Sequence, residues 1–329
     1  MKPLVSICIP AYNAEQFIAE TLESALRQTY PNIEIIVSDD DSSDRTAEIV
    51  REREPQGVRL LGQPRNLGRY GNCNAVIRTS SGKYVLKLDA DDLIEPEHVA
   101  EQVAVMEAHS EVVFAHCACR LVDRDGGFIG YERSIGGSFI RAGVKEWPRY
   151  VIGSRAVNVV MIRRSAFDQV GGYDERYHYS GDWAMHRALL RIGDVYYNDR
   201  VLASYRVHDV GKEGIQRLQA YERLMHLESM ESDWPPEVPN KDRLLRRARR
   251  RLAIVTVFGA AKSTGRERQE ILDLITRYTE DADINLLAAL VRHGGAFAIR
   301  AYVIVRNRLR LRFKSLILAL PHVVTTGPH

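Results

Sequence analysis

The sequence predicts an α/β fold built on a parallel sheet and followed by a helical region. Three observations carry that reading. Short apolar runs alternate with stretches of helical periodicity through about the first 95 residues. The runs end in polar, often acidic, turns, as buried strands do. After Gly214 the texture changes to long helical stretches.

Residues 4–13 (LVSICIPAYN) form an apolar run that stops at Pro10. Residues 14–29 place Phe17, Ile18, Leu22, Ala25 and Leu26 at helical spacing. Residues 32–44 (NIEIIVSDDDSSD) read as a second strand ending in acids, with Ser42 or Ser43 placed to cap the helix DRTAEIVREREP. VRLLGQ is a third strand, GRYGNCNAVIRTSS a helix, and KYVLKLDADD a fourth strand. A helix at 97–109, a strand at 112–122 and a turn at 125–127 follow. Residues 128–210 are less regular: strand-like 156–164, a turn at 171–174, a helix over 182–193 and an edge strand at 201–209. PPEVPNK (235–241) reads as a linker. The alternation implies right-handed crossovers. The expected division is 1–213 and 214–329, the first part splitting into 1–110 and 111–213.

A chain of 329 residues is long for one domain, which fits a core with an appendage. With 45% hydrophobic and 27% charged residues, disordered and fibrous classes are excluded. The net charge of +3 is too small to argue for a nucleic-acid partner, but it is unevenly placed. Residues 240–329 carry 18 Lys and Arg against 7 Asp and Glu, leaving the first 239 residues at −8. Cys8, Cys73, Cys117 and Cys119 match no zinc spacing and are expected to be buried free thiols in a reducing compartment. No signal-peptide pattern and no apolar run of 18 residues is found, so the expected location is cytoplasmic.

Ligands of parallel α/β sheets bind at the carboxyl ends of strands. Here those ends carry Pro10-Ala11-Tyr12-Asn13, Asp39-Asp40-Asp41 and Asp89-Ala90-Asp91-Asp92. One crevice would gather an aromatic ring and two acid clusters. The last cluster, in KYVLKLDADDLIEP (83–96), puts three like charges within four positions. Either water and local turns absorb them, or a hard cation such as Mg²⁺ or Mn²⁺ sits there and shares its shell with a phosphate.

Five segments, IPAYNAEQFIAETLESALRQTY, IIVSDDDSSDRT, RNLGRYGN, SGKYVLKLDADDLIEPEH and VGGYDERYHYSGDW, stand in the order and spacing of the family 2 glycosyltransferases. The chain resembles that family over residues 4–210. The resemblance implies a GT-A fold and a metal-dependent, inverting transfer of a sugar from a nucleotide donor, most simply a UDP sugar, to a saccharide or lipid-linked saccharide acceptor. It implies that Tyr12 and Pro10 pack on the nucleobase and that Asp40 accepts from the base N3–H. Asp89 would lie near the ribose, and Asp91 would ligate the Mn²⁺ or Mg²⁺ bridging the diphosphate. Asp182 falls at the catalytic base. His208 falls where related enzymes often have a histidine reaching metal or diphosphate. Arg69 and Arg65 are placed to meet diphosphate oxygens or simply to be solvated. Trp183 is a core residue or an acceptor platform.

The sequence departs from the family pattern in several places. The residue before the base is Gly181, where an acid is usual. Asp41 stands at a usual glycine, and Cys73 at a frequent arginine. The Gln-x-x-Arg-Trp motif of processive synthases is absent, which implies addition of one sugar. Gly181 keeps open the alternative of an inactive nucleotide-sugar-binding protein. A nucleotidyltransferase would want a glycine-rich basic loop where IPAYNAEQF stands. Two basic clusters, 246–251 and 306–314, are expected to meet an anionic membrane surface on its inner face, or else to be solvated or paired with acids.

Overall fold

The computed structural model describes residues 2–134, 136–151, 153, 159–207, 215–275, 277–278, 280–282 and 284–292. Two compact units divide the chain, Met1–His208 and Asp209–His329.

The first unit opens with β1 (Val5–Ala11), α1 (Ile18–Leu26), β2 (Ile33–Asp39), α2 (Thr46–Arg51), β3 (Val58–Gly62), α3 (Arg69–Thr79) and β4 (Tyr84–Lys87). It continues with β5 (Leu93–Ile94), α4 (His98–Ala108), β6 (Val112–Val122), β7 (Phe128–Glu132), β8 (Phe139–Arg141) and α5 (Gly143–Tyr150). It closes with β9 (Val160–Arg163), α6 (Arg164–Val170), α7 (Gly181–Leu190) and β10 (Asp194–Arg206). One sheet runs β3-β2-β1-β4-β9-β6-β10-β5, with β7 on β6 and β8 on β10.

The predicted parallel block is present: β1 pairs parallel with β2 and β4, and β2 with β3. Its strands are apolar on both faces because helices cover them. Ile18, Leu22 and Ala25 of α1 are fully buried in the same core as Val5, Ile7 and Ile9. Each such Ile or Leu contributes roughly 1.5–3 kcal/mol by leaving water.

Beyond β4 the sheet is mixed. The antiparallel β9 lies between β4 and β6. The expected edge strand at 201–209 is instead the end of β10, a 13-residue strand held between β6 and β5. Asn198, Asp199 and Arg200 break its apolar pattern, and the register with β6 shifts there, so its first half does not read as strand. The fourth strand stops at Lys87, which leaves Asp89, Asp91 and Asp92 in the loop to β5.

The second unit is helical: α8 (Ile215–Ser232), α9 (Lys241–Lys262) and α10 (Gly265–Ile275). The expected linker 235–241 is a turn inside this unit, closed by Trp234 Nε1 donating to the Val238 carbonyl at 2.8 Å. Of the first basic cluster, Arg249 pairs with Glu231 and Arg250 with Asp281. The second cluster, 306–314, lies outside the described residues. No helix among the described residues is long and apolar enough to cross a membrane. All four cysteines are free and buried.

Two buried histidines sit against the sheet. His186 of α7 stacks on Phe114 at 5.4 Å, and Phe114 stacks on His116 at 6.3 Å. Burial pushes both imidazoles down to about 3. Their folded pKa values lie below the unfolded value of about 6.5, so stability is full above that pH and falls as pH drops toward 3. Each site costs up to about 1.4 kcal/mol per pH unit in that window. The urea midpoint is expected to fall between pH 6.5 and 4.5, and His186→Phe is expected to flatten that slope by about half of the two-histidine contribution. Parallel pH profiles that do not converge would count against it.

Candidate active site

The ends of β1 and β2 lie side by side. Ala11 is in register with Asp39, and the Asp40 amide donates to the Ala11 carbonyl at 2.9 Å. The loops that follow are tied together: the Asn13 amide donates to Ser42 Oγ, and the Ser43 amide to Asn13 Oδ1, each at 2.9 Å. Ser42 and Ser43 therefore pin a loop rather than cap a helix. The first turn of α2 is served by Asp44, whose Oδ1 accepts from the Thr46 amide at 2.9 Å. Asn13 and Asp41 both adopt left-handed backbone, φ 48° and 62°. Short polar side chains tolerate that region, which explains how aspartate stands at a usual glycine. Tyr12 is 54% exposed at this edge, beside the partly buried Pro10.

Asp40 is buried, and its two oxygens are already engaged. Oδ1 accepts from the Leu67 amide at 2.7 Å and Oδ2 from the Gly68 amide at 3.1 Å. Burial raises its pKa, and these two amides pull it back. Asp40 thereby fixes the loop that opens α3 and so places Arg69. A carboxylate has lone pairs left for a third donor. Its neighbour Asp39, not singled out from the sequence, has a buried Oδ1 with no hydrogen-bond partner among the described residues.

The acids after β4 meet cations supplied by the chain itself. Lys87, the last residue of β4, is 1% exposed at its side chain. Its Nζ lies 2.7 Å from Asp89 Oδ1 and 4.0 Å from Asp182 Oδ1. The 2.7 Å contact is an ion pair, and Nζ has no hydrogen-bond partner among the described residues. Arg69, 43% exposed, approaches Asp89 Oδ2 at 3.9 Å. Arg65 is exposed, and Cys73 is buried in α3. The sequence reading missed Lys87. A lysine two residues ahead of an acid on an otherwise apolar strand was the available signal.

Asp182 is buried in the first turn of α7. Desolvation raises its pKa, and Lys87, then Arg69, pull it down. Its amide donates to the Tyr70 hydroxyl at 3.3 Å. The absent acid at 181 has a steric reason: a Cβ there would lie 2.6 Å from the Tyr70 ring. Tyr70 is itself fixed by stacking on Tyr173 at 5.4 Å. Trp183 is buried, donating its Nε1 to the Tyr150 carbonyl, so it belongs to the core.

Asp91 is half-buried at the loop, and its carbonyl accepts from Arg206 Nε at 3.0 Å. Asp92 is fully buried, accepting from the Arg206 amide at 2.9 Å, with its Oδ2 lacking a hydrogen-bond partner. No group of three potential metal ligands occurs among the described residues. Mg²⁺ or Mn²⁺ held by one or two carboxylates and by substrate phosphates needs no such group. Asp91 fits that mode. His208 lies outside the described residues.

Asp89, Asp182, Arg69 and Lys87 thus converge at the carboxyl edge of the parallel block, with Asp40 one loop away. The model of glycosyl transferase family 2 matches residues 6–171. The chain belongs to this family. An uncharacterized glycosyltransferase of Rickettsia typhi is 29% identical, over 68% of this chain and 70% of its own. TarS of S. aureus, solved with UDP-GlcNAc, superposes with a TM-score of 0.68 at 16% identity, over 93% of this chain and 91% of its own. The mannosyltransferase PcManGT of Pyrobaculum calidifontis, solved with GDP-Man and Mn²⁺, gives 0.58 at 19% identity, over 95% and 89%. The fold is therefore GT-A, and the protein is a glycosyltransferase of family 2.

The family 2 match contains Pro10, Tyr12, Asp40, Arg69, Lys87, Asp89 and Asp91 but stops short of Asp182. The place of Asp182 therefore rests on geometry: α7 brings it to Lys87 and Tyr70. Gly181→Ala is expected to lower stability by about 1–3 kcal/mol through overpacking against Tyr70, read as a lower urea midpoint. Tyr70→Ala in the same chain should remove that added penalty.

Proposed function

We propose that this glycosyltransferase moves one sugar from a nucleotide donor, a UDP sugar, to a hydroxyl of a saccharide or lipid-linked saccharide, with inversion and with Mn²⁺ or Mg²⁺. The supporting observation is the convergence of Asp182 from α7 on the Lys87–Asp89 pair at the end of β4. Donor binding is supported by the nucleotide sugars in the solved neighbours, UDP-GlcNAc in one and GDP-Man in another. Residues 1–110 would hold the donor, and 111–213 the acceptor and the base.

In this reading Tyr12 covers one face of the nucleobase, Asp40 and Asp39 offer acceptors to its edge, and Arg69 meets the diphosphate. Asp91, with His208, would hold the metal, which offsets charge on the leaving diphosphate. Asp182 takes the proton from the acceptor hydroxyl as it attacks the anomeric carbon from the side opposite the diphosphate. A single base and a single displacement invert that carbon. Acceptor binding is supported by a pocket lined by Arg120, Phe128, Tyr131, Ser204 and Glu20. Phe128 and Tyr131 are exposed with ring centroids 4.9 Å apart, and a sugar can stack on such faces. In this reading the acceptor class would give a cell-envelope role, and the basic C-terminal region would meet the inner membrane face.

Asp182→Asn is expected to lower kcat by about 10²–10⁴-fold and to leave UDP affinity within about twofold, measured by turnover and calorimetry. Unchanged turnover would overturn the assignment of the base. UDP with Mn²⁺ is expected to raise the melting temperature more than either alone, since a ligand of the folded state at about 100 times its Kd adds roughly 2.7 kcal/mol. Phe128→Ala should weaken use of the acceptor while sparing hydrolysis of the donor.

A further inference from the structure

We propose that Lys87 is a positioning residue for Asp182: its ammonium, sunk beneath the cleft, holds that carboxylate charged and turned toward the end of β4. The inference rests on the transferase reading for its purpose, and its geometry stands independently of that reading.

A lysine side chain 1% exposed is rare unless it is paired. On β4, Cys8 of the neighbouring β1 is its partner in register, and the strand's other residues are buried and apolar or aromatic. Nothing about strand formation calls for a cation there. A leucine or methionine would fill the volume without removing a charge from water. What the cation does is set by its surroundings. Nζ lies 2.7 Å from Asp89 and 4.0 Å from Asp182, so it bridges the β4 loop and the first turn of α7. Nζ has no hydrogen-bond partner among the described residues, so it acts on both acids through its charge, drawing the Asp182 Oδ1 to the same point as the Asp89 Oδ1.

Asp182 is faced from several elements. Lys87 comes from β4 and Asp89 from the loop after it; Arg69, Tyr70 and Cys73 come from α3. Tyr173 and Tyr205 approach from the segments around α7 and from β10. Only Lys87 and Arg69 in this set are cations, and Arg69 is 43% exposed. Lys87 is therefore the one screened least by water. Among the opposing influences on Asp182, Lys87 is the largest that favours the ionised form. A general base must be ionised to accept a proton. A carboxylate buried as deeply as Asp182 would otherwise take up a proton itself.

The test is carbon-13 NMR of the full chain labelled at the aspartate carboxyl carbon. The Asp182 resonance is identified by its loss in Asp182→Asn, and pH is titrated without nucleotide or metal. Lys87→Met and Lys87→Gln are expected to raise the Asp182 midpoint by at least one pH unit, whereas Lys87→Arg is expected to keep it within half a unit. A midpoint unchanged in a folded Lys87→Met or Lys87→Gln would overturn the proposal. If neither variant keeps the wild-type circular dichroism, Lys87 serves the fold alone and the proposal is likewise overturned. The readout needs no turnover. A dead Asp182→Asn with an unmoved midpoint defeats only the role of Lys87; a fully active Asp182→Asn defeats the transferase mechanism.

Discussion

A single buried ammonium stands between two carboxylates that would otherwise repel each other in a desolvated cleft. Everything at the carboxyl edge of the parallel sheet is arranged around that contact. Asp89 and Asp182 come from positions far apart in the chain, and burial pulls Asp182 toward protonation. Lys87 opposes that pull on Asp182 and pairs with Asp89 at 2.7 Å. Three acids after a buried strand invite a divalent cation as their explanation. The structure supplies a different one for Asp89, from within the same strand. Asp91 is the residue proposed to hold the metal.

Helix α3 is the element through which these parts communicate. Asp40 accepts two amides from the loop at its start, so the end of β2 sets where α3 begins. The next residue, Arg69, reaches Asp89, and the one after it, Tyr70, accepts the Asp182 amide. Tyr70 also occupies the space that a side chain at 181 would need. The glycine there is a packing requirement. It is not by itself a sign of lost activity, which weakens the reading of the chain as an inactive binding protein.

The alternation of strand and helix through β4 was legible because the parallel block is apolar on both faces and its crossovers are short. The acids at the strand ends were legible for the same reason: charge after a buried run is conspicuous. The second half was harder. β10 is interrupted by polar residues and carries bulges against β6, and the place of β9 between β4 and β6 depends on partners distant in sequence. Lys87 was passed over because a lysine in a strand reads as solvent-facing. Besides Asp89, its charge meets Asp182, which is 95 residues away in the sequence. Asp39 stood in the acid cluster without a role of its own, because Asp40 beside it answered the family pattern. For Lys87 and β10 the missing information was a tertiary partner; for Asp39 it was burial.

The two cations of the cleft differ in a way that suits different tasks. Lys87 is sealed in, so moving it would strand a charge in a medium that cannot solvate it. Arg69 is 43% exposed and 3.9 Å from Asp89, a distance at which the pairing is loose. In the proposed reading an arriving diphosphate would recruit the Arg69 guanidinium, a group that binds phosphate in a fork. Asp89 is not left uncompensated by that exchange, because Lys87 remains on its other oxygen at 2.7 Å. In the proposed reading Lys87 is the fixed charge and Arg69 the one that would meet the ligand. The cleft can thus accept and release a highly charged product without rebuilding its floor at each turnover.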